Sequence, residues 1–234
     1  LGTVLLNATT ARVFAKLIGV FLNKSEGILI LGASKVSRLI GEYLHKNDRH
    51  VVLIDNNQSN IDKANKLGLE AISANIYSDN LTDNIELNDI GYLMALTANS
   101  DINRYAIDKF QDAFGENGSF RLVDADEMSD PENNPKEGLF SHTDDFIKLT
   151  EAARKFPAIH EIELHDTEHY EGLIEITKAD ADIVPLFLKD PEGDIQIITA
   201  FSKEFTDIQK GYKLAYLGKM FPMEDPDKEE AQEN

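Results

Sequence analysis

The turn Gly32-Ala-Ser-Lys-Val-Ser37 and the carboxylate of Asp55 have the residue types and spacing that fit ligand chemistry. The turn follows an apolar run and precedes a helical pattern. A phosphate placed there would meet free backbone N–H groups and the positive end of a helix dipole. Asp55 ends the next apolar run, where a carboxylate accepts hydrogen bonds from ribose hydroxyls. Gly32, Ala33, Ser34, Lys35 and Val36 would hold the phosphate, with Asp55 and Asn56 at the ribose. Ser34 and Ser37 stand where a dinucleotide turn carries glycines. The Cβ of Ser34 crowds a pyrophosphate and favours a smaller nucleotide such as AMP. The turn therefore has two readings, an occupied site and a vestigial one. Two later segments end at the same edge. Asn75 or Ile76 would contact an adenine, and Thr97, Ala98 and Asn99 a phosphate or ribose. The alternative is turn chemistry, with Asn99 and Ser100 capping the next helix.

Other chemistry is poorly represented. His160, His165 and His169 cluster in sequence, but Asp166 and Thr167 read as a helix start between the last two, and no metal site is assigned. Tyr43, Tyr92 and Tyr105 are read as lacking the Tyr-x-x-x-Lys spacing of a dehydrogenase, with Tyr105 to Lys109 one residue off it, and no esterase elbow, Walker A or zincin motif occurs. No catalytic residue is assigned, and the chain is read as a non-enzyme. With no cysteine, thiolate sites and disulfides are excluded. Against 23 Lys and Arg stand 42 Asp and Glu, a net charge of −19. Such a chain repels phosphate backbones, which excludes general nucleic-acid binding. Residues 124–138 are acidic but lack EF-hand spacing and read as a solvated loop.

The elements that position these residues follow from hydrophobic periodicity. Short apolar runs at 27–31 and 50–55 are strands buried on both faces, and 69–73, 92–97 and 120–123 are further strands. Helical patterns occupy 35–46, 57–67 (with Gly68 at its C-terminal cap), about 79–84, and 101–114. Strands alternating with helices in this way make βαβ units. After the acidic loop a helix is expected at 143–154, and strands at 159–164, 183–188, 194–199 and 212–217. Asp190-Pro-Glu-Gly193 is a hairpin turn. The fold class is α/β: a Rossmann-like, doubly wound parallel sheet, then a small β-rich α+β subdomain. The expected divisions are 1–26, 27–137, 138–220 and an acidic, disordered tail at 221–234. In the first segment Val13, Leu17, Val20 and Phe21 recur at helical spacing. That fits an amphipathic helix packed on the domain, or the end of a transmembrane helix whose cytoplasmic exit is marked by Arg12 and Lys16.

Gly27–Asp55, with Ala95-Leu-Thr-Ala-Asn-Ser-Asp101 and Asn103, resembles the RCK/KTN family, whose TrkA-type N-terminal domains regulate K⁺ channels and cation transporters. Gly2-Thr-Val-Leu-Leu-Asn-Ala-Thr-Thr-Ala-Arg12 is similar to the end of the last transmembrane helix of bacterial sodium/proton antiporters. Glu137-Gly-Leu-Phe-Ser-His-Thr-Asp144 and Val184-Pro-Leu-Phe-Leu-Lys-Asp-Pro-Glu-Gly193 resemble the cytoplasmic tail of that class. The resemblance implies a non-catalytic domain that binds AMP, ATP or NAD(H). It also implies a homodimer attached to the transmembrane antiporter domain of the same chain, at the cytoplasmic face of the inner membrane. The linker at about 11–26 would pass a ligand-driven shift to that domain. Two readings of other classes are an NAD(P)-dependent oxidoreductase and a structural dimerisation module with a dead pocket.

Overall fold

Gly27–Leu31 (β1) and Val51–Asp55 (β2) are the most apolar segments, and apart from half-buried Asp55 every residue in them is buried. A computed structural model describes residues 25–78, 89–124, 127, 137–140, 145–199, 205 and 207–222. The expected segment 1–24, the helix at 79–84, most of the acidic loop and residues 223–234 lie outside the described residues. Lys35–Lys46 (α1) follows β1, and Gln58–Lys66 (α2) follows β2. Glu70–Ser73 (β3), Ile90–Ala95 (β4), Ser100–Phe114 (α3) and Gly118–Arg121 (β5) complete the first unit. All pairings in its sheet are parallel, in the order β3-β2-β1-β4-β5. The order reverses between β1 and β4, where such sheets bind ligands beyond the strand C-termini.

Each face has its own helix. Leu29, Leu31, Val52, Ile54, Leu93 and Ala95 form one core with Ala106, Ile107, Phe110 and Phe114 of α3. The alternate residues face the other way, as a two-residue period requires. There α1 comes close enough that a Cβ on Gly41 would lie 3.5 Å from Val51 and Leu53. Helix α2 ends in a Schellman turn: Gly68 N–H donates to Asn65 and Leu69 N–H to Ala64, with Gly68 at φ +79°.

Two strands start earlier than periodicity predicts. β4 begins at Ile90 instead of Tyr92, because Ile90 is already paired beside Gly27. β5 occupies 118–121 instead of 120–123, because Gly118 and Ser119, which read as turn residues, pair with Tyr92 and Leu93.

The compact units divide between Arg121 and Leu122, ahead of the expected division at 137/138. The second unit comprises Phe146–Lys155 (α4), Ile159–Glu163 (β6), Thr167–Ala179 (α5), Ile183–Lys189 (β7), Ile195–Ile197 (β8) and Lys213–Gly218 (β9). Its antiparallel sheet has the order β6-β9-β7-β8. Because β6 and β7 both run antiparallel to β9, the segment β6-α5-β7 is a βαβ unit split by β9. Leu214 and Tyr216 pack with Tyr170 and Leu173 of α5. Helix α5 starts where Asp166 and Thr167 read as a helix start, and its extent to Ala179 is what the strand-rich expectation lacked. Only Tyr170, Leu173 and Thr177 of its residues are buried, too narrow a stripe to stand out. Pro185 is accommodated where the β7–β9 register shifts. Among the described residues no helix is long and apolar enough to cross a membrane.

Candidate functional site

The C-terminal ends of β1, β2, β3 and β4 put Gly32, Asp55, Asn75 and Thr97 on one edge of the sheet. Gly32 leaves β1 at φ +94°, a conformation that L side chains rarely adopt. A Cβ there would lie 3.2 Å from the Leu96 carbonyl oxygen and 3.3 Å from Thr97 Cγ2. The absent side chain lets the β1 and β4 ends approach each other. Gly32 N–H donates to Ile54 at 2.7 Å, which turns the chain over β2.

Asp55 organises the turn. Its Oδ2 accepts Ala33 N–H at 2.8 Å and Asn60 Nδ2 at 3.1 Å, and its Oδ1 accepts Asn57 N–H at 2.8 Å. A carboxylate offers about four acceptor positions, so roughly one stays open to a ligand hydroxyl. Asn57 in turn caps α2 by accepting Ser59 N–H. Arg38 donates to the Ala33 carbonyl. Partial burial lowers the Arg38 pKa from its ordinary 12.5, against the opposing charges of Asp55 and Glu42. It remains a cation beside the carboxylate.

Ser34 is the N-cap of α1. Its Oγ accepts Ser37 N–H at 3.2 Å and lies 3.0 Å from Ser37 Oγ. The hydroxyl thus takes one of the four donors that a helix start leaves unpaired, while the amides of Lys35 and Val36 have no intrahelical acceptor. The Lys35 side chain is exposed, whereas Ala33 and Val36 are buried. Asn56 is exposed beside Asp55.

The β4 end is held by Asn103, 1% exposed on α3. Its Oδ1 accepts Thr97 N–H at 3.1 Å and Thr97 Oγ1 at 2.6 Å, and its Nδ2 donates to the Thr97 carbonyl at 3.0 Å. Thr97 Oγ1 also lies 3.1 Å from the Asn99 carbonyl oxygen. Asn99 caps α3 through Ile102 N–H, and Ala98 is exposed between them.

Geometry brings Gly32, Ala33, Asp55 and Thr97 together. Asn75 and Ile76 lie at the end of β3, two strands from β1. Asn75 Oδ1 accepts Tyr77 N–H in a local turn, and Ile76 is buried in the α3-side core.

Sequence reasoning missed two things on α3. Asn103 entered only through the family resemblance, not as the clamp on Thr97. Tyr105 and Lys109 stand at the full Tyr-x-x-x-Lys spacing, not one residue off it. Lys109 Nζ sits 5.6 Å from the Tyr105 ring centre and 3.4 Å from the Ser78 carbonyl oxygen, and Tyr105 packs on Tyr77 at 4.9 Å. The His165 and His169 rings stack at 4.8 Å, and His169 Nδ1 accepts the His165 N–H at the start of α5. Among the described residues no group of three His, Asp or Glu side chains is placed to hold a metal.

Residues 28–128 match the TrkA-N domain. With the parallel five-stranded sheet, this makes that stretch a Rossmann-type domain of the regulatory, nucleotide-binding class. No curated protein matches the chain. Among solved structures it is similar to N5-carboxyaminoimidazole synthetase from Staphylococcus aureus, at 14% identity and a TM-score of 0.33, over 85% of this chain and 48% of that one. The chain thus spans about half the length of that enzyme.

Proposed function

We propose that the chain is a nucleotide-sensing regulatory module of a membrane sodium(potassium)/proton antiporter. In this reading it does no chemistry itself. It works as a homodimer on the cytoplasmic face of the inner membrane, joined to the antiporter's transmembrane domain in the same chain. The observation that supports the reading is the 2.8 Å bond from Ala33 N–H to Asp55, which holds the turn after β1 against the carboxylate at the end of β2, beside the switch point where such sheets bind ligands. The TrkA-N match at 28–128 supports the regulatory class, and the resemblance of 2–12, 137–144 and 184–193 supports the antiporter setting. A nucleotide would place a phosphate at the Lys35 and Val36 amides and a ribose hydroxyl at the open position of Asp55. Binding would then shift one protomer against the other, by as much as the ligand prefers one arrangement.

One observation favours a second reading, a dimerisation module with a dead pocket. Asp55 already accepts three hydrogen bonds from its own chain, and the Ser34 hydroxyl already caps α1. Calorimetry with AMP, ATP, NAD and NADH separates the two. In the sensing reading at least one nucleotide saturates, and Asp55→Ala weakens it by about 1.5–3 kcal/mol, the worth of a hydrogen bond to a charged group. Ser34→Gly then improves NAD selectively. Absence of binding for all four at millimolar concentration establishes the dead pocket. Saturable binding unchanged by Asp55→Ala puts the ligand elsewhere.

A further inference from the structure

The opposite end of the same sheet carries a separate cluster. Helix α1 ends in a Schellman turn in which Asp48, at φ +61°, donates to His45 and Arg49 N–H donates to Leu44. This delivers His50 to the foot of β2. The His50 Nδ1 lies 2.9 Å from both carboxylate oxygens of Asp89, just ahead of β4. Its Nε2 lies 3.1 Å from Oε2 of Glu70, the first residue of β3. The backbone joins the same point to β1: Ile28 N–H donates to the His50 carbonyl at 2.8 Å, and Gly27 N–H to that of Asp89 at 2.9 Å.

We propose that His50 is a proton-operated latch, which as an imidazolium ties the feet of β2, β3 and β4 together and on deprotonation lets one of its two carboxylates go. The chemistry is a matter of counting protons. An imidazolium has two N–H groups and donates to both carboxylates. A neutral ring has one, so its other nitrogen would set a lone pair against a carboxylate about 3 Å away. Loss of the proton to water breaks no bond in the chain but turns one attractive contact into a repulsive one. The groups facing the ring are carboxylates. Glu70 comes from β3 and Asp89 from ahead of β4, while β1 is preceded by Glu26, which pairs with Arg49. On its own side are Arg49 and Asp48, and the last turn of α1 carries His45 and Lys46.

Partial burial lowers the His50 pKa, but the hydrogen bonds and charges of Glu70 and Asp89 outweigh it and leave it raised above 6.5. A raised histidine stabilises the fold fully below the unfolded value and loses that contribution as pH rises through the folded one. The latch is therefore closed in acid and opens as pH rises above 6.5 through the raised value. It acts where residues 25–27 lead into the sheet. The five residues of β2, at about 3.3 Å each, separate it from Asp55 by roughly 16 Å, so it needs no nucleotide to operate.

The test is an NMR pH titration of the full chain without ligand, the His50 resonance being assigned by its loss in His50→Gln. Hydrogen exchange at the Gly27 and Ile28 amides is read alongside. The His50 pKa is expected above 6.5 in the wild type and nearer to it in Glu70→Gln and in Asp89→Asn. Protection of Gly27 and Ile28, corrected for intrinsic exchange, falls across that transition by about tenfold for each unit of elevation. In His50→Gln it does not change with pH. The exposed Glu70→Gln change keeps the test available should His50→Gln fold poorly. A wild-type His50 that titrates at or below 6.5, or that deprotonates with no change at Gly27 and Ile28, overturns the proposal.

Discussion

Replacing Asn103 by alanine should remove the clamp that holds the β4 end over the turn. The side chain makes three hydrogen bonds to Thr97, at 2.6, 3.0 and 3.1 Å, and is 1% exposed. A typical intramolecular hydrogen bond contributes about 0.5–1.5 kcal/mol net, and a buried group left unpaired costs more. Water reaches half-buried Thr97 in part, which limits that second effect. The loss should be about 2–4 kcal/mol, a large share of the roughly 5–15 kcal/mol that holds a domain folded. Asn103→Asp keeps both acceptor contacts but turns an oxygen toward the Thr97 carbonyl. It should be at least as damaging at neutral pH and recover in acid, when a protonated carboxyl donates again. Since the chain forms two compact units, amide hydrogen exchange in β1 and β4 is the proper readout. A change under about 0.5 kcal/mol in Asn103→Ala would mean that Thr97 is positioned by something else, because surface-like tolerance is incompatible with a buried clamp.

Gly32→Ala should cost about 1–3 kcal/mol in thermal melts through its backbone conformation and its approach to Leu96. Gly68→Ala, equally left-handed but with nothing within 4 Å of its added Cβ, should cost less; equal costs would show that the approach does not matter. Burial pushes the Tyr170 hydroxyl up to about 12, from 10.0. Its neutral form is the one the fold favours, so that contribution is intact below 10.0 and disappears as pH rises toward 12. Spectrophotometric titration should show a late tyrosine that vanishes in Tyr170→Phe, and its persistence there would assign it to another residue.

The parts of the fold that sequence reading recovered are those with a strong local signal. β1 and β2 are unbroken apolar runs, Asn57 and Asn99 carry the side chains of helix caps, and Gly68 has the freedom that a C-terminal turn needs. What escaped depends on partners distant in sequence. Gly118 and Ser119 look like a turn until Tyr92 and Leu93 are set beside them. Helix α5 buries too few side chains to mark its period. At the site, the position of Asp55 was legible from strand and turn alone. Its three hydrogen bonds were not, nor was the capping role of Ser34, whose amide reads as a phosphate contact and whose Cβ reads as an obstacle to pyrophosphate. The Thr97–Asn103 contact joins a strand end to a helix at a spacing that no periodic pattern marks.

The split βαβ arrangement of the second unit also sets an order of events during synthesis. β6 has β9 as its sole strand neighbour among the described residues, yet β9 leaves the ribosome only after α5, β7 and β8. Until Lys213–Gly218 emerges, Glu161 lacks Lys213 and the inner edges of β6 and β7 have nothing to pair with. The first sheet has no such dependence, because each new strand joins an edge that is already formed, β4 included, which adds on the far side of β1. The nascent chain should therefore present a finished nucleotide-type sheet followed by an open one. Chaperones would find their exposed strand edges in the second half, and a premature stop before Lys213 would leave the first unit folded beside an unclosed remnant.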